Sequence, residues 1–286
     1  MKKIAGIILP RMLACVATLA LAADARADYA YGFASQTISG LSVTPGSGGF
    51  TNVSAVTTST NAAATVNGVG PATSHPLDAP EAYLGGGPTA PGNLFGRYAP
   101  GAVPISPVGN FTRGDALIAS LLGPGNSASV VSESFLGSPG METAFSTVTA
   151  SVTLTPTAST ALTIGYNFTN DIFVSQTSLG TSSASYNFDI TLKNAAGAVI
   201  FGMASNPTNL SLSAPPPGPE LIVSGAESFL TPELTGGSAY TLIFSIKSAS
   251  SATLTAVPEP SSLALMGLGG AGLALRWRRR RAGAAG

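Results

Sequence analysis

A Ser-His-Asp relay could be drawn from Ser74, His75 and Asp78, since His75 is the single histidine of the chain and stands in Thr73-Ser74-His75-Pro76. Such a relay needs three side chains oriented towards one another, and close neighbours along one loop do not meet that need. The spacing therefore reads as an exposed loop histidine. The one cysteine, Cys15, lies in the N-terminal apolar run, so the rest of the chain holds no thiol for a nucleophile, a disulfide or a thiolate metal site. The carboxylates are mostly scattered and form neither a paired glycosidase site nor a D-x-D-x-D calcium loop. Arg113-Gly114-Asp115 matches a tripeptide recognised by animal integrins, but the apolar run after it reads as a short helix from Gly114 to Leu122. The Thr and Ser residues of 147–155 form a hydroxyl row of ordinary solvent-facing polarity. The chain is expected to need no cofactor and no metal and to be no enzyme.

The elements that would position such residues are constrained by composition. With 34 Gly and 21 Pro in 286 residues, backbone breakers approach a fifth of the chain, against about 12% in an average protein. That density disfavours a helical fold. Charged residues are 9%, far below the roughly 25% of an ordinary soluble domain, so Ser, Thr, Asn and Gly must cover the surface. The formal net charge is zero, with 13 basic and 13 acidic residues, but nine of the basic ones sit at the two ends. Between 28 and 257 only Arg97, Arg113, Lys193 and Lys247 face 11 acidic residues, a net charge of −7. A body of that sign is repelled by phosphate backbones, which excludes nucleic acid as a partner.

Both ends carry addresses. Lys2 and Lys3, the apolar stretch Met12–Ala22 and the small residues Ala25 and Ala27 around Arg26 form a secretory signal peptide over 1–27. Cleavage is expected after Ala27, with Ala22 the second choice; signal peptidase and the general secretion machinery are the implied partners. At the other end Pro258-Glu259-Pro260 precedes 13 uncharged, mostly apolar residues, Leu263–Leu275, closed by Arg276, Trp277, Arg278, Arg279, Arg280 and Arg281. Thirteen helical residues span about 20 Å against a hydrocarbon core near 30 Å. The span is a short transmembrane helix, weakened by four glycines, and its arginines mark the cytoplasmic side. This order of motifs closely resembles the PEP-CTERM sorting signal of Gram-negative bacteria, also catalogued as an ice-binding-protein C-terminal domain. The resemblance covers about 256–281. It implies an exosortase, a membrane-embedded cysteine protease, that cuts near Pro258-Glu259-Pro260 and releases or transfers the body, typically where cells make an exopolysaccharide matrix. The protein is then expected to be exported, to pass through a transient inner-membrane-tethered intermediate and to end at the cell surface or outside, with exopolysaccharide as a further partner.

Between the addresses the expected fold is all-β. Residues 28–143 form a Gly/Pro-rich, loop-rich β region, and 144–256 an antiparallel β-sandwich region, followed by the sorting tail over 257–286. Apolar residues alternate in Val148, Ala150, Val152, Leu154; in Leu162, Ile164, Tyr166, Phe168; in Tyr186, Phe188, Ile190, Leu192; and in Tyr240, Leu242, Phe244, Ile246. A period of two makes each a half-buried strand. Asn194-Ala195-Ala196-Gly197 reads as a hairpin turn, Pro215–Pro219 as a loop, and Ala239–Lys247 with Ser251–Ala256 as a closing strand pair. The expected role is a secreted, non-enzymatic protein of the surface or extracellular matrix; a carbohydrate-binding sandwich is the alternative.

Overall fold

The computed structural model describes residues 28–85, 94–98, 109–177, 179–204, 210–213 and 220–256. The signal peptide, the sorting tail with its short span, and Pro215–Pro219 lie outside the described residues. Among the described residues every regular element is a strand, and no helix is long and apolar enough to cross a membrane. Asp28–Thr255 forms a single unit.

In chain order the strands are β1 (Ala30–Pro45), β2 (Phe50–Val53), β3 (Thr57–Val66), β4 (Ala72–His75), β5 (Asp78–Gly85), β6 (Phe111–Ser120) and β7 (Ser127–Leu136). They continue with β8 (Gly140–Pro156), β9 (Leu162–Gln176), β10 (Gly180–Asn194), β11 (Val199–Ala204), β12 (Leu210–Ser213), β13 (Glu220–Leu230) and β14 (Tyr240–Leu254). One sheet has the order β13-β9-β1-β7-β6-β5, the other β11-β10-β14-β8-β3-β4, with β12 on β10 and β2 on β8. All pairings are antiparallel. The two sheets pack face to face as a β-sandwich. The change of texture at 143/144 falls inside β8, and strands from both sides of it interleave in each sheet.

The four alternating segments become β8, β9, β10 and β14, with the apolar set turned inward. At one end the interior is thick with rings: Tyr166 meets Phe188 edge-on at 4.8 Å between centroids, and Phe188 stacks on Phe244 at 6.4 Å. Towards the other end the facing residues are small, and the sheets come close. A Cβ at Gly32 would sit 2.6 Å from the Ser183 carbonyl oxygen, and one at Gly114 2.9 Å from Ser146 Oγ and 3.0 Å from the Phe145 carbonyl. Hydroxyls bridge the gap there: Ser134 Oγ lies 3.1 Å from Ser250 Oγ, and Ser146 donates to the Val131 carbonyl at 2.7 Å.

Three expectations change. The short helix Gly114–Leu122 is replaced by strand: Gly114–Ser120 lies in β6, whose first part, Phe111–Ala116, is buried on both faces, so no clean alternation marks the start of the strand. The closing strand pair is one strand, β14: no turn residue interrupts 248–250, and Ser248, Ser250, Ala252 and Leu254 continue the inward set of Tyr240–Ile246. The N-terminal stretch, expected to be loop-rich, contributes seven strands and the start of β8. The Asn194–Gly197 turn joins β10 to β11 as read from the sequence. Asn194 Oδ1 accepts from the Ala196 and Ala198 amides, and Gly197 takes φ +79°.

Candidate functional site

Among the described residues the largest grouping of charge lies on the outer face of the six-stranded sheet. Side chains of β1, β6, β7 and β9 that point away from the sandwich interior are not left to solvent there. Residues 94–98 cross over them and close a second core of Tyr31, Phe33, Phe95, Phe111, Phe135 and Phe173. Strand register sets one row across the sheet, Phe173-Phe33-Glu133-Arg113-Tyr83. Arg113 and Glu133 are thus directly opposed, 3% and 0% exposed, and bond through Nε and the terminal amine at 2.6 Å each.

Their remaining atoms hold the crossing segment. Arg113 donates to the Gly96 carbonyl at 3.2 Å and lies 3.8 Å above the Phe95 ring centroid. Glu133 accepts from the Tyr98 amide at 2.9 Å and from the Tyr31 hydroxyl. Asp115 accepts from the Leu94 amide at 2.5 Å. Arg97 pairs with Asp171 at 3.1 Å and with Glu220, and sits over Phe173. Burying this pair costs desolvation, so its net worth to stability is small, but removing one partner would strand the other, at about 3–5 kcal/mol. The cluster therefore pins 94–98 to the sheet.

Burial raises the pKa of Asp115 and Asp171, and raises that of Tyr31 well above its ordinary value, helped there by the Glu133 charge. Glu81, on β5 beside the same cluster, is pushed up to about 7 by burial, with Asp115 and Glu133 adding to the shift and Arg113 opposing it. Inside the sandwich Glu142 is fully buried, and neither of its oxygens finds a full hydrogen bond among the described residues. Burial raises it to about 8, with only the Phe135 amide opposing. Among the described residues no three His, Cys, Asp or Glu side chains could hold a metal together.

The relay drawn from Ser74, His75 and Asp78 does not form. His75 ends β4 at the surface, and its Nδ1 accepts from the amides of Leu77 and Asp78 at 3.3 Å, closing its own turn. Arg113-Gly114-Asp115 is buried in β6, with Arg113 and Asp115 engaged as above and Gly114 against the opposite sheet. The hydroxyl row of β8 faces outward as read. The sequence carried only a faint sign of the Arg113–Glu133 pairing: Arg113 is one of four basic residues between 28 and 257.

An open groove of about 810 Å³ lies where β1 ends, lined by Leu41, Val43, Phe50, Leu122, Leu154 and Asn126 among others. Asn126 spends both ends of its amide on the Leu41 backbone, at 2.8 and 2.7 Å. The groove thus offers mainly apolar surface. The exposed aromatics Tyr98 and Phe145 stand apart, Tyr98 in the segment that crosses the six-stranded sheet and Phe145 on β8 of the other sheet.

At the opposite end of the sandwich the chain both enters and leaves the body. Tyr29 and Thr177 exchange backbone and hydroxyl hydrogen bonds, the Tyr29 carbonyl lies 2.7 Å from where a Gly180 Cβ would be, and Gly180 pairs with Leu254. Thr255 is tied to the Leu179 carbonyl through its amide at 3.2 Å and its hydroxyl at 3.0 Å. Ala30, Leu136, Ala252 and Leu254 pack as one cluster there. Ala25 and Ala27, where signal-peptide cleavage is expected, the motif Pro258, Glu259, Pro260 and the arginines Arg276, Arg278, Arg279, Arg280 and Arg281 lie outside the described residues, but the two points where the flanking segments join the body are side by side.

No curated protein matches the chain. Two solved structures, of infectious bursal disease virus strains Gx and Gt, align over 84% of the chain at 14% and 13% identity, with a TM-score of 0.15 for each. The chain spans 61% and 60% of the length of those chains. Residues 256–280 match the PEP-CTERM protein-sorting motif, so the chain carries a tail that implies export, a membrane-anchored intermediate and processing by an exosortase.

Proposed function

We propose that this protein is a non-enzymatic structural or interaction protein of the cell surface or extracellular matrix, delivered by its signal peptide and freed from the inner membrane when an exosortase cuts near Pro258-Glu259-Pro260. The observation that carries the reading is the sorting motif at 256–280 directly following β14. A motif this close to the sheet end makes the body formed by Asp28–Thr255 a cargo of the tail. The guanidinium groups of Arg97 and Arg113 and the carboxylates of Asp115, Glu133 and Asp171 are spent on holding 94–98 in place, which supports a structural rather than a catalytic use of the body. A hydroxyl-rich, acidic body suits a hydrated polysaccharide matrix, where it stays soluble without binding polyanions.

Intact-mass measurement on protein from its native host tests the delivery. The expected species begins at Asp28 and ends near Pro258-Glu259-Pro260, and Pro258→Ala/Glu259→Ala accumulates uncut in the membrane fraction; an arginine cluster still attached to the mature wild-type protein would refute the reading. The groove at the end of β1 favours a second reading, a module that binds a carbohydrate or other small ligand. A glycan array separates the two, since a matrix protein of the first kind leaves the array unlabelled.

A further inference from the structure

Among the described residues the two sheets present four edges, and these are not equally protected. Free strand edges invite pairing with another chain, and folded proteins blunt them with short strands, proline, lysine or bulges. The β5 edge contains Pro80 and a register shift between Ala79 and Ala82. The β4 edge is four residues long and flanked by Pro71 and Pro76. Beyond β10 the edge is divided between β11 on Asp189–Lys193 and β12 on Ser183–Tyr186, with a register shift at Leu192/Lys193. The fourth edge, β13, has none of these devices. It runs 11 residues in unbroken register against β9 and contains no Pro, Lys or Arg.

Its two carboxylates do not guard the edge, because each is turned back to its own sheet. Glu220 pairs with Arg97, and Glu227 accepts from the Tyr166 hydroxyl at 2.6 Å. The rest of the strand is neutral, with Ile222 60% and Leu230 65% exposed. The sequence of β13 is also complementary to itself. In antiparallel pairing about Gly225, Leu221 meets Phe229, Ile222 meets Ser228, Val223 meets Glu227, Ser224 meets Ala226 and Glu220 meets Leu230. No like charges oppose, whereas an in-register parallel pair would set Glu220 and Glu227 beside their own copies.

We propose that β13 is a self-association edge, on which a second copy of this chain adds its own β13 antiparallel about Gly225. The two six-stranded sheets then become one sheet across a two-fold axis, an isologous contact that closes at the dimer. Main-chain hydrogen bonds supply the pairing, and Leu221 against Phe229 supplies its apolar contact.

The test uses the processed protein from host culture and the full chain in detergent micelles, by sedimentation velocity. Wild type is expected to be dimeric. Ser224→Glu/Ala226→Glu puts like charges opposite each other on both sides of the axis and is expected to raise the dimer dissociation constant about tenfold or more. Ser224→Lys/Ala226→Glu sets opposite charges across the same pairs and is expected to remain dimeric. Both sites are exposed, so circular dichroism and melting should match wild type. Three results would overturn the proposal. They are a wild-type monomer at about 100 µM, a dimer indifferent to the doubly acidic variant, or a Lys/Glu variant that dissociates as readily as the doubly acidic one.

Discussion

Glu142 is the residue whose environment departs furthest from its chemistry. It alternates inward on β8 between Met141 and Thr143, opposite Val66 on β3 and Ala252 on β14, so its place in the pleat puts a carboxyl between the sheets. Burial raises its pKa from 4.5 to about 8, so at neutral pH the folded protein holds a proton that the unfolded chain releases. Below about pH 4.5 both states are protonated and the group costs nothing. Stability falls as pH rises from there to about 8, where the penalty is complete, on the order of a few kcal/mol. Chemical denaturation of Glu142→Gln between pH 5 and 9 should lack this decline and show a higher midpoint than wild type at pH 8. Equal pH slopes in the two proteins would remove Glu142 as the cause. The opposite case is Glu133, equally buried but with its carboxylate matched by Arg113, the Tyr31 hydroxyl and the Tyr98 amide.

At the scale of elements, β6 separates the signals a strand can carry. Half-buried β8 shows its period of two in the sequence. In β6, Thr112, Gly114, Ala116 and Ile118 face the sandwich interior while Phe111, Arg113 and Asp115 lie under 94–98, so both faces are buried and the alternation is blurred. Gly114 is what lets β6 approach the other sheet, since a Cβ there meets Ser146 Oγ and the Phe145 and Ala63 carbonyls at 2.9–3.1 Å. Gly114→Val must push the sheets apart at that point. Overpacking of this kind costs about 1–3 kcal/mol, and backbone carbonyls cannot swing aside as a flexible side chain would. A drop of that size in unfolding free energy is expected, against less than about 0.5 kcal/mol for an exposed control such as Ser224→Ala; a neutral Gly114→Val would mean that the sheets are not in contact there.

For the whole molecule, the neighbouring attachment points of the two addresses matter most. In the proposed delivery route, an N-terminal signal and the sorting tail would both draw on the membrane before processing. A body whose ends emerged from opposite poles would have to be reached around by one of them. Here Tyr29 and Thr255 flank Leu179 and Gly180, so one pole serves both, and the groove at the end of β1 lies at the other. The body lacks cysteine, so spin labels at Asp28→Cys and Thr255→Cys report this directly. Their separation is expected below about 20 Å from strand spacing alone. Labels on opposite poles of a 15-residue strand such as β10 would instead stand about 50 Å apart.

Alternation of Val148–Leu154 and of Tyr240–Ile246 determined strands β8 and β14 without any knowledge of their partners, because the pleat alone sorts neighbouring side chains to opposite faces. The sorting motif at 256–280 was legible for a similar reason: its reading depends on the order of residues along the chain. Tertiary structure decided the rest. The strand order brought Arg113 opposite Glu133, the crossing of 94–98 turned an outer face into a second core, and the close approach of the sheets gave Gly32 and Gly114 their purpose. Each depends on contacts between residues far apart in the chain, whose pairing is chosen by competition among all strands at once, and no local pattern of residue types records which of them wins.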